Sequence, residues 1–299
     1  MNLSPLQSKL VIMRNTKIFF ILAFMLLLCA CKQTNNGKAT IAPVKVYERV
    51  IAQDKIKAAY INYPPSCMKD TKTGKMSGIF VDVITKACEN LGLELEWTEE
   101  VGWASQIEGL DANRYDIVGS PVWANVVRGT KSTMSTPVYY SGIGMYVRAD
   151  DNRFDNNWSK INSPDVKVGV IDGETSSVIA SQDFPKAQKY SSVQLTDIAQ
   201  KFLDLETKKC DVVFAEPYYA YEYEKNNPGT IKNIASESPI RLFGNCYMFR
   251  KDEFQMKHML DVAIQDLINS GFVEKTIAKY EPAPNLFYRV AKPYTTNAK

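Results

Sequence analysis

Leu110–Ser120 reads Leu-Asp-Ala-Asn-Arg-Tyr-Asp-Ile-Val-Gly-Ser, and Leu205–Ala215 reads Leu-Glu-Thr-Lys-Lys-Cys-Asp-Val-Val-Phe-Ala. In both, an acid follows a leucine, a cation comes next, and an aspartate precedes two β-branched residues. Each stretch reads as a helix closing and feeding a short apolar strand, the second half of a βα unit whose strand is buried on both faces. Two such units imply two α/β lobes. Ligands of open α/β sheets sit beyond the carboxyl ends of the strands, so two facing lobes would enclose a small molecule between them. Coincidence is the competing reading, because helix-to-strand junctions of this length are common.

The amino terminus reads as a targeting segment. Lys9, Arg14 and Lys17 precede an unbroken apolar run, Ile18–Leu28, which is well short of the ~20 residues a permanent membrane span needs. Leu28-Cys29-Ala30-Cys31 follows and is similar to a bacterial lipobox, which makes Cys31 the lipidation candidate. The alternative is an ordinary signal cut at Ala30. Met13 as the true start would leave a more compact basic region. Removing residues 1–30 takes away three cations and no acid, so the formal charge falls from +3 to zero. With cations and acids balanced and scattered, no basic face for nucleic acid is expected. Residues 31–53 read as a lipidated tether to the membrane, with the folded body beginning at residue 54.

Beyond the leader stand Cys67, Cys88, Cys210 and Cys246. An even number of cysteines in an exported chain allows disulfides in any of three pairings. His258 is the only histidine and no CxxC spacing occurs. A metal site, a histidine-dependent nucleophile or a cofactor is therefore not expected.

Along the body, Lys55–Ile61 reads as a strand, and Pro64 and Pro65 force an extended turn after it. Phe80, Val83, Ile84, Ala87 and Leu91 recur at helical spacing, and Gly92 stands where a helix C-cap belongs. Leu93–Trp97 alternates as a strand, Trp103–Leu110 is expected to be helical, and Thr136–Val147 extended. Val166–Ile171 should be a buried strand running into Asp172-Gly173-Glu174-Thr175-Ser176-Ser177. Glycine and hydroxyls ahead of an apolar run mark a helix N-terminus, where free N–H groups attract anions. Leu195–Leu205 and two closing helices, Phe254–Asn269 and Phe272–Lys279, complete the pattern.

The order of these segments resembles the extracellular solute-binding proteins of family 3, the polar amino-acid receptors of ABC importers. The resemblance rests on Tyr63-Pro64-Pro65, Gly74–Asp82, Tyr115–Val118, Arg128 nine residues before Pro137-Val138-Tyr139-Tyr140, Val168-Gly169-Val170, Asp211-Val212-Val213 and Asn269-Ser270-Gly271. It covers about Lys55 to Tyr280 and implies a two-lobed periplasmic-binding-protein fold, type II-like, with two hinge crossovers. Lobe 1 is then residues 54–147 plus 247–280, lobe 2 is 148–246, and 281–299 is a tail. The resemblance further implies a monomeric receptor on the outer face of a bacterial membrane, held by its lipid and serving a membrane permease.

It also assigns site residues. An amino acid offers a carboxylate and an ammonium, and a cleft that excludes water must match both. Arg128 stands where similar proteins clamp the α-carboxylate in bidentate fashion, and Glu216 where they carry an acid for the α-ammonium. Tyr63 and Trp103 fall where two aromatics flank the ligand side chain; core packing is their competing role. Ser120 and Thr175 could supply hydroxyl donors, or serve as turn and cap residues. Pro121, Trp123 and Asn125 depart from the usual pattern: Pro121 removes a backbone donor and Trp123 adds bulk, which implies a pocket that is smaller, more aromatic, or tuned to a ligand other than a standard polar amino acid. An alternative reading is an exported cyclohexadienyl or arogenate dehydratase on the same architecture, with Glu216 as general acid; no second acid beside it is evident in the sequence.

Overall fold

The computed structural model describes residues 45–290. The candidate signal, Cys31 and most of the expected tether lie outside the described residues, as does the tail from residue 291. Strand β1 (Lys55–Tyr60) lies between β4 (Glu94–Glu100) and β5 (Ile117–Trp123) with both neighbours parallel, the arrangement a βαβ unit produces. The crossover α2 (Ile79–Leu91) has Ile79, Phe80, Val83, Ile84 and Ala87 fully buried on one face, and Gly92 closes it at φ 73°. A small hairpin of β2 (Met68–Lys69) and β3 (Met76–Ser77) precedes α2.

The second unit repeats the first. Strand β8 (Lys167–Ile171) lies between β10 (Val212–Ala215) and β9 (Gln188–Ser192), again parallel to both. Helix α5 (Thr175–Asp183) follows β8, and α6 (Ala199–Glu206) precedes β10. The quoted pair of segments thus feeds β5 and β10, one strand in each lobe.

Two long antiparallel strands join the halves: β7 (Tyr139–Arg148) and β12 (Arg241–Arg250). The start of β7 pairs with β12, and from Gly144 onward it pairs with β10, opposite Ala215. Strand β12 mirrors this: Arg241–Asn245 pair with β7, whereas Asn245–Phe249 pair with β5. Partners therefore change in mid-strand, so backbone ladders continue through both crossovers and the lobes hang from one strand path of order β4-β1-β5-β12-β7-β10-β8-β9. Short β6 (Ser132–Met134) pairs with β12, and β11 (Ile231–Asn233) with β7.

Each lobe has its own core. Ile56, Phe80, Ile84, Tyr247, Leu260 and Ile277 lie in that of lobe 1, Val168, Val170, Ile179 and Phe214 in that of lobe 2, which Met145 of β7 also joins because β7 passes to β10 at Gly144, ahead of the boundary expected at 147. A third cluster joins Ile61, Tyr63, Trp103 and Val118 of lobe 1 to Ile171, Phe202, Val213 and Tyr219 of lobe 2, so the facing surfaces are packed together.

The structure corrects three expectations. Residues expected to continue the tether form helix α1 (Val46–Gln53). Val46 and Val50, one turn apart, are buried in the lobe 1 core, and the Val46 N–H donates to Glu253 Oε1 at 3.3 Å. The tail does not begin cleanly at 281: Phe287 is buried in the same core, and β13 (Tyr288–Arg289) pairs with Tyr140 and Tyr139. Arg289 is fastened there by Glu274 at 2.9 Å and Glu281 at 2.7 Å. The disulfides that the cysteine count allowed are absent among the described residues, where Cys67, Cys88, Cys210 and Cys246 are free and buried. Cys67, Cys88 and Cys210 pack in apolar clusters, Cys246 is buried on β12, and burial pushes all four thiols up to about 12.

Candidate functional site

The carboxyl ends of β1, β5, β8 and β10 converge on the seam between the lobes, and most of the site residues expected from sequence lie there. Arg128 sits in the single turn α4 (Val126–Gly129), whose N-cap is Asn125: the Asn125 side chain accepts from the Arg128 backbone N–H at 3.0 Å. The unusual Asn125 is thus a cap that fixes the arginine. The guanidinium is buried, and Nη1 donates to the Trp123 carbonyl at 3.0 Å and to Thr175 Oγ1 at 3.1 Å. Nη2 donates to the Gly173 carbonyl at 3.3 Å. Arg128 belongs to lobe 1, Gly173 and Thr175 to lobe 2. Of five guanidinium N–H donors, Nε–H and one on Nη2 have no acceptor among the described residues. Burial lowers its pKa to about 10, with the charge of Glu174 as the largest opposing influence.

Glu216 follows β10 and precedes α7 (Pro217–Asn226), a helix the sequence reading missed although Pro217 in its first turn is a start signal. Its carboxylate is buried and accepts from Tyr63 OH at 3.0 Å, a contact between lobes, and from Ser141 Oγ on β7. Burial drives its pKa from 4.5 up to about 7, against donors from Ser141, Tyr63 and Trp123 that favour the charged form. Neither Arg128 nor Glu216 belongs to an ion pair among the described residues.

The aromatic expectations divide. Tyr63 meets Trp103 edge-on at 5.4 Å and Tyr219 at 5.1 Å, and all three line a cavity of about 90 Å³ that Glu100, Gln194 and Asp197 also border. Trp123 instead stacks on Phe243, 5.3 Å away with planes 11° apart. Pro121, lacking an N–H, lies opposite the point where the β5–β12 register shifts. Ser120 is not turned to Arg128: its hydroxyl accepts from the Ile61 N–H at 2.5 Å and ties β5 to the loop carrying Tyr63. Thr175 opens α5 as expected, but the cap of that helix is Glu174, which accepts from the Ser176 N–H at 3.0 Å. Glu174 is itself buried and paired with buried Lys201 at 3.4 Å, so a second acid does lie in the seam, with a cation of its own.

Sequence reading also missed Ser141, Asn245 and Tyr219. The Tyr219 hydroxyl is buried and has no partner among the described residues. The lobes touch closely elsewhere: the Ala104 N–H donates to Gln194 Oε1 at 3.0 Å, and a Cβ on Gly173 would lie 2.5 Å from the Ala104 nitrogen.

This geometry has relatives. A probable amino-acid ABC transporter-binding protein of Haemophilus influenzae is 27% identical over 176 residues, 58% of this chain and 63% of that protein. The L-cystine-binding protein TcyA of Bacillus subtilis is 23% identical over 224 residues, 73% of this chain and 77% of its own. Among solved structures, the cysteine-binding protein of Campylobacter jejuni superposes with a TM-score of 0.68 at 16% identity, covering 83% of this chain and 97% of that one. An ancestral amino acid-binding protein described as a precursor of cyclohexadienyl dehydratase does so at 0.67 and 21%, covering 79% and 99%. Residues 56–283 match the bacterial extracellular solute-binding proteins, family 3, and with more than half of its length inside that match the chain belongs to this family.

Proposed function

We propose that this chain is the substrate-binding component of an ABC importer and captures an amino acid or related small zwitterion between its lobes. The observation that carries the reading is a buried guanidinium and a buried carboxyl in one seam, Arg128 and Glu216, neither of them in an ion pair among the described residues. Burying a lone charge is costly. One ligand bearing both a carboxylate and an ammonium would compensate the two together. The free Nε–H and Nη2–H of Arg128 suit a bidentate carboxylate, with Thr175 at the adjoining helix start, while Glu216 receives the ammonium. Tyr63, which donates to Glu216, also walls the cavity with Trp103 and Tyr219; Arg128, Thr175 and Glu216 do not line it, so in this reading it takes the ligand side chain only, and its other borders, Glu100 and Asp197 but no lysine or arginine, disfavour acidic ones. Ser120 supports this wall through Ile61 rather than touching ligand, and Trp123 contributes its carbonyl to the placement of Arg128. The relatives named above as amino-acid and cystine binders support the same class.

The reading extends to the cell: an exported monomer with a signal removed before Cys31, anchored by lipid there and docking on a membrane permease. No helix among the described residues is long and apolar enough to cross a membrane. Calorimetric titration against a panel of amino acids tests the site. Arg128→Ala should cost ~2–5 kcal/mol of affinity, and Glu216→Gln should weaken zwitterions while sparing ligands without an ammonium. Binding of both variants within twofold of wild type removes both charges from the site. A second reading, dehydratase chemistry, is favoured by one observation: a Glu216 pKa of about 7 suits a general acid. Turnover of a cyclohexadienyl acid that Glu216→Gln abolishes, with binding retained, would replace the receptor reading.

A further inference from the structure

Glu216 is held by more than its own lobe. Asn245, fully buried on β12, donates from Nδ2 to Ser141 Oγ on β7 at 2.7 Å, and Ser141 in turn reaches Glu216. Hydrogen-bond chemistry fixes the direction of this chain. The Asn245 Nδ2 also lies 3.5 Å from the Tyr139 carbonyl, which can only accept, so the NH2 end of the amide faces both groups. Ser141 has one proton, and with its oxygen occupied as an acceptor it gives that proton to Glu216 Oε1. The far end of the amide, Asn245 Oδ1, is left buried without a partner among the described residues.

The relay also coincides with the hinge. Ser141 pairs opposite Phe243 of β12, three residues before Gly144, where β7 exchanges β12 for β10. Asn245 stands at the exchange on the other strand, opposite Tyr139 of β7 and Trp123 of β5.

We propose that Ser141 and Asn245 are positioning residues that aim a donor relay from both hinge strands at Glu216, so that the charge on this acid and the pairing of the hinge strands form one coupled unit. Nothing in the relay depends on the ligand assignment. The groups facing Glu216 are Tyr63 from the loop after β1, Trp123 from β5, Tyr139 and Tyr146 from β7, Glu174 ahead of α5 and Tyr219 from α7. Burial drives these four tyrosines upward, out of the neutral range. Glu174, the remaining acid, is held by Lys201.

The test uses the ligand-free, full-length protein with 15N-labelled asparagine and 13C-labelled glutamate carboxyls, titrated from pH 5 to 9. The Asn245 side-chain amide resonance, assigned by its loss in Asn245→Asp, should follow the Glu216 carboxyl with a shared midpoint. In Glu216→Gln that pH dependence should vanish. In Ser141→Ala the Glu216 midpoint should rise by about one pH unit or more and the Asn245 amide should cease to follow it, whereas Ser141→Thr, which keeps the hydroxyl, should restore both. An Asn245 amide that is flat in wild type, or that still titrates in Glu216→Gln, overturns the proposal even if Ser141→Ala does not fold. So does an unmoved Glu216 midpoint in a folded Ser141→Ala. Failure here leaves the calorimetric test of Arg128 and Glu216 untouched, and the reverse.

Discussion

At Glu216, burial raises the carboxyl from 4.5 to about 7, while the donors Ser141, Tyr63 and Trp123 act in the opposite sense. The folded state then holds a proton more tightly than the unfolded chain. Stability that is fully present below pH 4.5 is lost as pH rises toward 7, and the displacement corresponds to about 3 kcal/mol. Glu216→Gln removes this dependence. In the absence of ligand the variant should unfold at higher denaturant than wild type at pH 8 and match it near pH 4.5; equal stability at pH 8 would show that the carboxyl is not desolvated as described. Binding runs the other way, because an ammonium needs the carboxylate: wild-type affinity should rise through pH 7 and that of Glu216→Gln should stay flat. Arg128 and Glu216 were singled out through the family resemblance, the first by its spacing to Pro137 and the second by its place after a strand, and the structure buries both in the seam. Ser141 and Asn245 were not, since an isolated polar residue in a strand carries no mark of what it faces. Glu174 was hidden differently: beside Gly173, Thr175 and Ser176 it looked like part of a cap, which it is, and its burial against Lys201 depends on residues 27 positions apart.

The elements follow their local patterns where one face alone decides them. Helix α2 with its Gly92 cap, β8, and the two closing helices α8 (Phe254–Asn269) and α9 (Phe272–Tyr280) lie close to where apolar spacing put them. Helix α1 escaped because only Val46 and Val50 mark its buried face, and the surface they cover comes from lobe 1 residues far along the chain. Boundaries near the seam also shifted: the helix expected from Trp103 begins at Gln106, because Trp103 joins the cluster between the lobes. The loop between β8 and α5 makes a close backbone contact in that seam. Gly173 has φ 77° and faces Ala104 across it, so a side chain there meets both backbone strain and a collision. Gly173→Ala should leave each lobe folded but hinder their approach, lowering ligand affinity by about tenfold or more, roughly 1.4 kcal/mol. Small-angle scattering with saturating ligand should show the variant more extended than wild type; identical profiles would mean that the loop yields freely.

At the scale of the molecule, two lobes and two crossovers were readable from the repeated βα segments and from the family resemblance. What sequence could not supply was the state of the cysteines. The compartment argument allowed disulfides, but Cys67, Cys88, Cys210 and Cys246 are each buried and free. A reducing agent should therefore leave the melting temperature unchanged, and a thiol reagent should find these four unreactive until denaturant exposes them; fewer than four released would reveal a bridge. The mid-strand exchange of partners has a further consequence, for the chain as it is made. Strand β12 lies between β5 and β7 in the middle of the path, and β13 adds to β7 still later. Everything needed for β8, β9 and β10 has emerged by Ala215, yet the sheet of lobe 1 cannot close until residues beyond 241 arrive. A chain growing from its amino terminus must hold its first-made strands open while the second lobe assembles. The half synthesised first is thus the half finished last.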